Sequence, residues 1–460
     1  MSAPRRSLLA LSYRFPPETY PLAMRVQYFL GHLQDRWAVD AITAATDAEV
    51  EGVTVHHVRP REAEGAIRLM GRLRLMKLVD WLAWPDRFVL WVLPALLRAW
   101  RRARQTRPAA ILAFCMPYTT GVVGVLLKKL TGLPLIINLN DSPTCSDTNA
   151  AFSSRLHHRL AYWLEDWFVR NADALVYVSR RNMERVRDRQ PAALRSKFHL
   201  IRRGVRPLPA LAAPPARGET FRIVYTGGMA GWHFGGDDEG RPSLLRRLYH
   251  RWQQWGTYHA ERLDPTTHSP IFIGRAIRAV LDAHPSWADR IHLDVYGNTF
   301  PDALTQEVLR AHGLEAVVRV HDRVPHEEAL RHMQEADLLF LTLPGRVART
   351  PGGRISAKTY EYLMTDRPIL GALPPGENTE YLADKPGVHL TDPWDVDGMA
   401  GVITTLAGRT FAGEDLSVDR RALRSGLLST TQSQAFEDVL RTVVPSPESP
   451  APVAAAVPHP

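Results

Sequence analysis

The chain has 460 residues, 45% of them hydrophobic and 23% charged, with 57 basic against 48 acidic side chains and a net charge of +9. At roughly 150 residues per domain, this length predicts two or three domains, and the composition excludes a disordered, collagen-like or polytopic membrane chain. Two cysteines, Cys115 and Cys145, are too few for a disulfide framework or a four-thiolate zinc site, and predict a reduced, cytoplasmic compartment.

The apolar run 7–12 is too short for the core of a signal peptide and predicts a first strand. A Pro-rich loop at Pro16 and Pro17 follows, then a helix over 23–36 with apolar residues at helical spacing. Strands are predicted at 39–43, 53–58, 109–114, 134–139 and 174–179. Helices are predicted at 120–130 and 154–170 and from Arg180 onward. Buried strands alternating with helices are the pattern of a parallel sheet wrapped on both faces. The longest apolar run, 88–97, includes Pro94 and falls far short of the roughly twenty residues a membrane span needs, so no transmembrane helix is predicted.

The segment 207–218 carries prolines and small residues without periodicity and reads as a linker. A second series follows: strand 221–226 ending in Gly227 and Gly228, helix 271–283, strands 291–296 and 317–321, helix 327–335, strand 337–343, helix 357–364 and strand 368–372. Residues 231–270 interrupt it with tryptophans, histidines and an acidic cluster, and read as an insertion forming a cleft lid or partner surface. The predicted organisation is a first domain over 1–206, a second over 207–429, a helix near 430–444 packing back on the first, and a disordered tail over 445–460. Two such doubly wound α/β domains in tandem imply a cleft where the carboxyl ends of both sheets meet.

The stretch Arg354-Ile-Ser-Ala-Lys-Thr-Tyr-Glu361 carries the most chemistry. A polar loop runs into a helix whose first turns hold Lys358 and Glu361 three residues apart, hence on one face. A helix start with a lysine suits a phosphate group, and a carboxylate can accept from two neighbouring ribose hydroxyls. The plain alternative is an exposed ion pair on a solvated face.

This stretch resembles the donor-binding segment of family 4 glycosyltransferases of the GT-B fold, which are retaining and nucleotide-sugar-dependent. The companions agree in order: Ser12-Tyr-Arg-Phe-Pro-Pro-Glu18 with Arg25, Pro134 to Asp141, Asn171 to Ser179, Val224-Tyr-Thr-Gly-Gly228, Asp294-Val-Tyr-Gly-Asn298, and Val324-Pro-His-Glu-Glu-Ala329. The resemblance implies that Glu361 binds the donor ribose, and that Lys358 and an arginine near Arg275 face the diphosphate. It places Gly228, Arg354 and Ser356 around the donor and main-chain groups at Arg323 and Val324 around the base. Acceptor contacts are expected from the loop bearing Tyr20 and Arg25. Fixed cations stabilise a departing nucleoside diphosphate, so no metal or other cofactor is expected. Asp141, at the end of a strand on the same face, could orient a sugar hydroxyl, act as a base or merely cap a helix.

The family pattern is broken at two places. Many relatives carry a glutamate eight residues before the ribose-binding one, where this chain has Gly353. Many also carry a histidine after the fourth strand, where this chain reads Cys115-Met-Pro117. A catalytically degenerate binding or scaffold protein therefore stays open beside the transferase, as does a nucleotide-sugar epimerase. The expected partners are a nucleotide-sugar donor and a glycan or lipid-linked acceptor in the making of cell-surface polysaccharide or glycoconjugate. Residues 69–107 mix arginine with Leu, Trp and Val. They read either as core helices with solvated arginines or as a basic amphipathic face that docks on an anionic membrane surface at the inner leaflet. No basic run with interleaved aromatics points to nucleic acid.

Overall fold

The computed structural model describes residues 5–18, 20–60, 70–73, 75–145, 151–211, 219–229, 251–252, 254–298 and 302–444. The expected tail over 445–460 and most of the insertion, 230–250, lie outside these residues.

In chain order the first domain runs β1 (Ser7–Ser12), α1 (Pro21–Leu33), β2 (Ala38–Thr43), β3 (Val53–His57), α2 (Met76–Leu82), α3 (Val92–Thr106), β4 (Ile111–Cys115), α4 (Thr119–Thr131), β5 (Leu135–Leu139), β6 (Ala151–Phe152), α5 (Arg155–Asn171), β7 (Ala174–Tyr177), α6 (Arg180–Asp188) and β8 (Phe198–Leu200). The second runs β9 (Phe221–Thr226), β10 (Tyr258–His259), β11 (Leu263–Asp264), α7 (Ile271–Ala283), β12 (Ile291–Asn298), α8 (Asp302–Ala311), β13 (Val318–Asp322), α9 (His326–Glu335), β14 (Leu338–Thr342), β15 (Gly345–Arg346), α10 (Ala357–Leu363), β16 (Ile369–Ala372), α11 (Glu377–Leu382), β17 (Val388–Thr391), α12 (Val396–Phe411) and α13 (Arg421–Leu427). Last comes α14 (Ser429–Val443).

Two parallel sheets result, ordered β3-β2-β1-β4-β5-β7-β8 and β13-β12-β9-β14-β16-β17. Their central strands are apolar without alternation because both faces are covered. In β4 and β5 every residue is buried. In each sheet the order reverses beside the first strand, between β1 and β4 and between β9 and β14. Loops on the two sides of such a point splay apart and leave a crevice at the carboxyl ends.

The chain passes between domains twice, and the two crossings are bonded to each other. Val205 N–H donates to the Leu427 carbonyl at 2.9 Å and Ser429 N–H to the Val205 carbonyl at 2.8 Å. The approach is so close that a Cβ on Gly204 would lie 2.5 Å from Ser429 Cα. After the second crossing, α14 lies on α1. Its Phe436 is buried and stacks on Phe29 with ring centroids 4.4 Å apart. Beside it Glu437 accepts from Arg36 and Arg441.

The described end of the insertion ties the two domains together. Strand β10 pairs antiparallel with β6 of the first domain, and β11 pairs with β15 of the second. Lys77 donates to the carbonyls of Trp252, at 3.0 Å, and Trp255.

Candidate functional site

A cavity of about 630 Å³ lies between the domains, within the range of small-molecule sites. The first domain lines it with Tyr20, Met116, Asn140, Asp141 and Asn182, and the second with His326, Gly353, Arg354, Tyr360 and Glu361. Each of these positions follows a strand's carboxyl end or begins a helix at the crevice. Asp141, for example, comes two residues after β5.

Glu361 and Lys358 sit one turn apart on α10, but they face different spaces. The Glu361 carboxylate lines the cavity with 12% of its side chain exposed, and its Oε1 is 3.9 Å from His326 Nε2. Lys358 runs beneath the loop that ends β9. A Cβ on Gly227 would lie 2.8 Å from Lys358 Nζ, and the ammonium stands 5.0 Å from the centre of the Tyr225 ring. Gly227 has φ +107°, a backbone that only glycine adopts freely, and so the loop can pass this close. Burial and the nearby Arg354 charge push the lysine pKa down to about 8, against the pull of Glu361. The same surroundings act on His268, from the described end of the insertion. Burial and the charges of Lys358 and Arg354 push it down to about 3, and its Nε2 is 2.9 Å from the Tyr225 hydroxyl. The group behind the cavity wall is thus a desolvated cation beside a neutral histidine, and an anion would relieve its cost.

Several residues expected at the site are placed elsewhere. Arg275 is exposed on α7, whose inward positions are Ile273, Gly274, Ala276, Ile277 and Val280. Its guanidinium meets His312 Nδ1 at 3.4 Å and does not line the cavity. Arg25 borders the cavity yet is buried, with most of its donors used within the first domain. Nε donates to Asn138 Oδ1 at 3.1 Å, Nη1 to the Arg202 carbonyl at 2.9 Å and Nη2 to the Ile201 carbonyl at 2.9 Å. It fastens α1 to β5 and to the segment after β8.

Ser356 is buried outside the cavity lining, and its N–H goes to Asn378 Oδ1 at 3.2 Å. Arg323 is exposed and outside the lining, while Val324 packs on the second domain's core; their neighbours His326 and Glu327 reach the cavity instead. Gly228 stands at the end of β9 with the Gly297 carbonyl oxygen 3.5 Å from where its Cβ would be. Tyr20, Asp141, Arg354 and Glu361 are expected residues that the fold brings to one space. Tyr20 has its hydroxyl pKa raised by burial and by Asp141.

The position of the absent glutamate has a physical account. A Cβ on Gly353 would lie 2.3 Å from Asn182 Oδ1 and 2.7 Å from Ser179 Oγ of the other domain. A side chain there would have to displace the Asn182 amide and the Ser179 hydroxyl. A different carboxylate closes this seam. Glu377, at the start of α11 and 1% exposed, accepts from Ser179 Oγ at 2.7 Å, Arg180 N–H at 2.8 Å, Arg181 N–H at 2.9 Å and Arg202 Nη1 at 2.8 Å. One domain thereby supplies the anion at the N-terminus of a helix in the other. The sequence reading missed both Glu377 and His268, because neither carries a local signal and each acquires its partners only through the tertiary fold. Cys115 is buried at the end of β4, and burial pushes its thiol far above the usual range, which makes it a poor nucleophile.

Residues 22–204 match the family model described as the glycosyl transferase 4-like domain. No curated protein matches the chain significantly. Among solved structures, HepE of Anabaena in complex with UDP and glucose aligns at 15% identity with a TM-score of 0.56, over 95% of this chain and all of that one. Sucrose-phosphate synthase of Thermosynechococcus elongatus aligns at 10% identity and TM-score 0.58, over 95% and 99% of the two chains. Trehalose 6-phosphate synthase of Burkholderia multivorans aligns at 14% and 0.55, over 95% and 97%. Two parallel α/β domains facing across a cleft, shared over nearly the full length with these structures, define the GT-B fold. Within that fold, residues 22–204 of the first domain are similar to the glycosyl transferase 4-like domain.

Proposed function

We propose that the chain transfers a sugar from a nucleotide-sugar donor to a glycan or lipid-linked acceptor, with retention of configuration, in the making of cell-surface polysaccharide or glycoconjugate at the cytoplasmic face of a membrane. The observation that carries this reading is the pair on α10, with the Glu361 carboxylate open to the interdomain cavity and the Lys358 ammonium desolvated under the Gly227 loop. Glu361 holds the ribose hydroxyls, which a carboxylate can accept in bidentate fashion. Lys358 and Arg354 supply the fixed positive charge that stabilises negative charge building on the departing diphosphate. Arg275 has no part in this, since it faces His312. Asp141 and Tyr20 line the first-domain side, where the acceptor hydroxyl must arrive. HepE has been solved with UDP and with UDP-glucose, which supports a uridine nucleotide as the first donor to try. Among the described residues no helix is long and apolar enough to cross a membrane, so any membrane attachment proposed for them is peripheral.

One observation favours a second reading, in which nucleotide binds but is not turned over: the position where many relatives carry a glutamate is Gly353, packed against Asn182 and Ser179. A panel of nucleotide sugars separates the two. Release of nucleoside diphosphate by the wild type supports the transferase, whereas tight binding of donors with no release supports the binding protein.

A further inference from the structure

The first domain holds a second cavity, of about 570 Å³, beside the interdomain one. Tyr20 and Met116 line both and stand between them. Met116 has φ +115°, a conformation a side chain rarely adopts, and such strain collects where a fold shapes a site.

The second cavity is walled by Trp84, Phe88, Tyr118, Phe152 and Leu164. Its charged side chains are already engaged. Arg14 pairs with Glu18 at 3.1 Å, and Arg87 with Asp80 at 2.5 and 2.9 Å. Asp86 accepts from the Thr119 N–H and hydroxyl at 2.9 and 2.7 Å. His157 meets Ser154 Oγ at 2.8 Å and the Trp81 carbonyl at 3.0 Å. With these groups bonded to one another, the aromatic and aliphatic wall is the surface left for a ligand, and it suits an apolar chain better than a sugar.

The segment that walls this cavity is apolar on its outer side as well. Leu82 is 84% exposed, Leu90 58%, Leu93 56% and Leu97 43%. Along α3 the exposed Leu93, Leu97, Arg101 and Arg104 follow one helical stripe, while Ala95, Ala99 and Ala103 face inward. No carboxylate pairs with Arg101 or Arg104 among the described residues. Exposed leucines followed by arginines without a carboxylate partner among the described residues complement an anionic bilayer, with apolar side chains in the headgroup boundary and guanidinium groups among the phosphates.

Resting on the cleft as the donor site, we infer that the second cavity takes the apolar chain of a lipid-linked acceptor presented from an anionic membrane surface, and that its head group meets the donor at Tyr20 and Met116. Of the two acceptor classes proposed above, this selects the lipid-linked one. The outer leucines and arginines seat the domain on the bilayer, and the pocket behind them receives the chain.

The test uses the purified full chain. Calorimetry compares decyl β-glucoside, below its micellar concentration, with methyl β-glucoside. Sedimentation compares vesicles of phosphatidylcholine with vesicles of equal parts phosphatidylcholine and phosphatidylglycerol. UDP binding is measured in parallel, so that failure of the donor reading shows separately. The wild type should bind the decyl glucoside at least about tenfold more tightly than the methyl one, given the apolar area buried, and should sediment with the anionic vesicles only. Ala83→Trp, which fills the pocket from its half-buried rim, should lose the decyl preference and keep vesicle and UDP binding. The double change Leu93→Glu and Leu97→Glu should lose vesicle binding and keep the other two. Equal binding of the two glucosides by the wild type would overturn the pocket's assignment. A dimer that dissociates in the Leu93/Leu97 variant, with no vesicle binding by the wild type, would give the outer face to a second copy and overturn it too.

Discussion

Lys358 occupies the space that a side chain at Gly227 would need, its Cε 2.5 Å and its Nζ 2.8 Å from the position of a Cβ there. The glycine and the lysine are therefore one device, although 131 positions separate them in the chain, taking 227 from 358. Gly227→Ala should displace the ammonium and strain a backbone at φ +107°. Donor affinity should fall by about 1.5–3 kcal/mol, the worth of one charge-assisted contact. Gly228→Ala should change affinity by no more than about 0.5 kcal/mol, because its Cβ would meet only an ordinary contact at 3.5 Å. Calorimetry with UDP on both variants distinguishes them.

The depressed pKa of Lys358 makes nucleotide binding depend on pH in a definite direction. In the free protein the lysine loses its proton as pH rises through about 8. A bound diphosphate favours the charged form and raises that value, so binding between about pH 8 and 9.5 should take up protons and weaken as pH rises. Calorimetry in buffers of different ionisation enthalpy measures the uptake. It should vanish in Lys358→Met. The sign for stability is opposite: the unfolded chain holds the proton up to its ordinary lysine pKa, so this one group makes the free protein more stable as pH rises from about 8 toward 10.5.

Glu377 holds the seam between domains through four donors of the first domain. Glu377→Ala leaves the Arg180 and Arg181 amides and the Arg202 guanidinium without their acceptor. Hydrogen exchange at those two amides should accelerate by about ten- to hundredfold, in line with a charged hydrogen bond of 1.5–3 kcal/mol. Unchanged exchange at both amides would show that the seam does not depend on this carboxylate.

Arg25 is a fastener, and its substitution should be felt in stability. Arg25→Ala leaves Asn138 Oδ1 and the Ile201 and Arg202 carbonyls without the donors they now have. Each buried group left unpaired costs about 1–3 kcal/mol. Chemical denaturation should show the loss. An undiminished midpoint together with a raised acceptor KM would return Arg25 to the acceptor site.

The sequence made the sheets legible because their strands are buried on both faces, as in Leu135–Leu139, and a run of apolar residues between helices has few other meanings. It also made α10 legible as a chemical element, since Lys358 and Glu361 are neighbours within one turn. Contacts made across the fold were not legible. Three partners of Arg25 lie 113 to 177 residues away, those of Glu377 come from the other domain, and His268 sits in a segment with no periodicity. The placement of Arg275 was not legible for a related reason: charge and position could be read from the chain, but the face it presents was fixed by which side of α7 packs on the sheet.

The central claim is that Glu361 at the cavity and Lys358 behind its wall grip one nucleotide-linked sugar. The most direct measurement is calorimetric binding of UDP and GDP to the wild type and to Glu361→Ala. The account predicts that the wild type binds one of the two and that the variant binds it more weakly by about 1.5–3 kcal/mol, the value of a charge-assisted contact to the ribose. A wild type that binds neither nucleotide, or a variant that binds as well as the wild type, would contradict it.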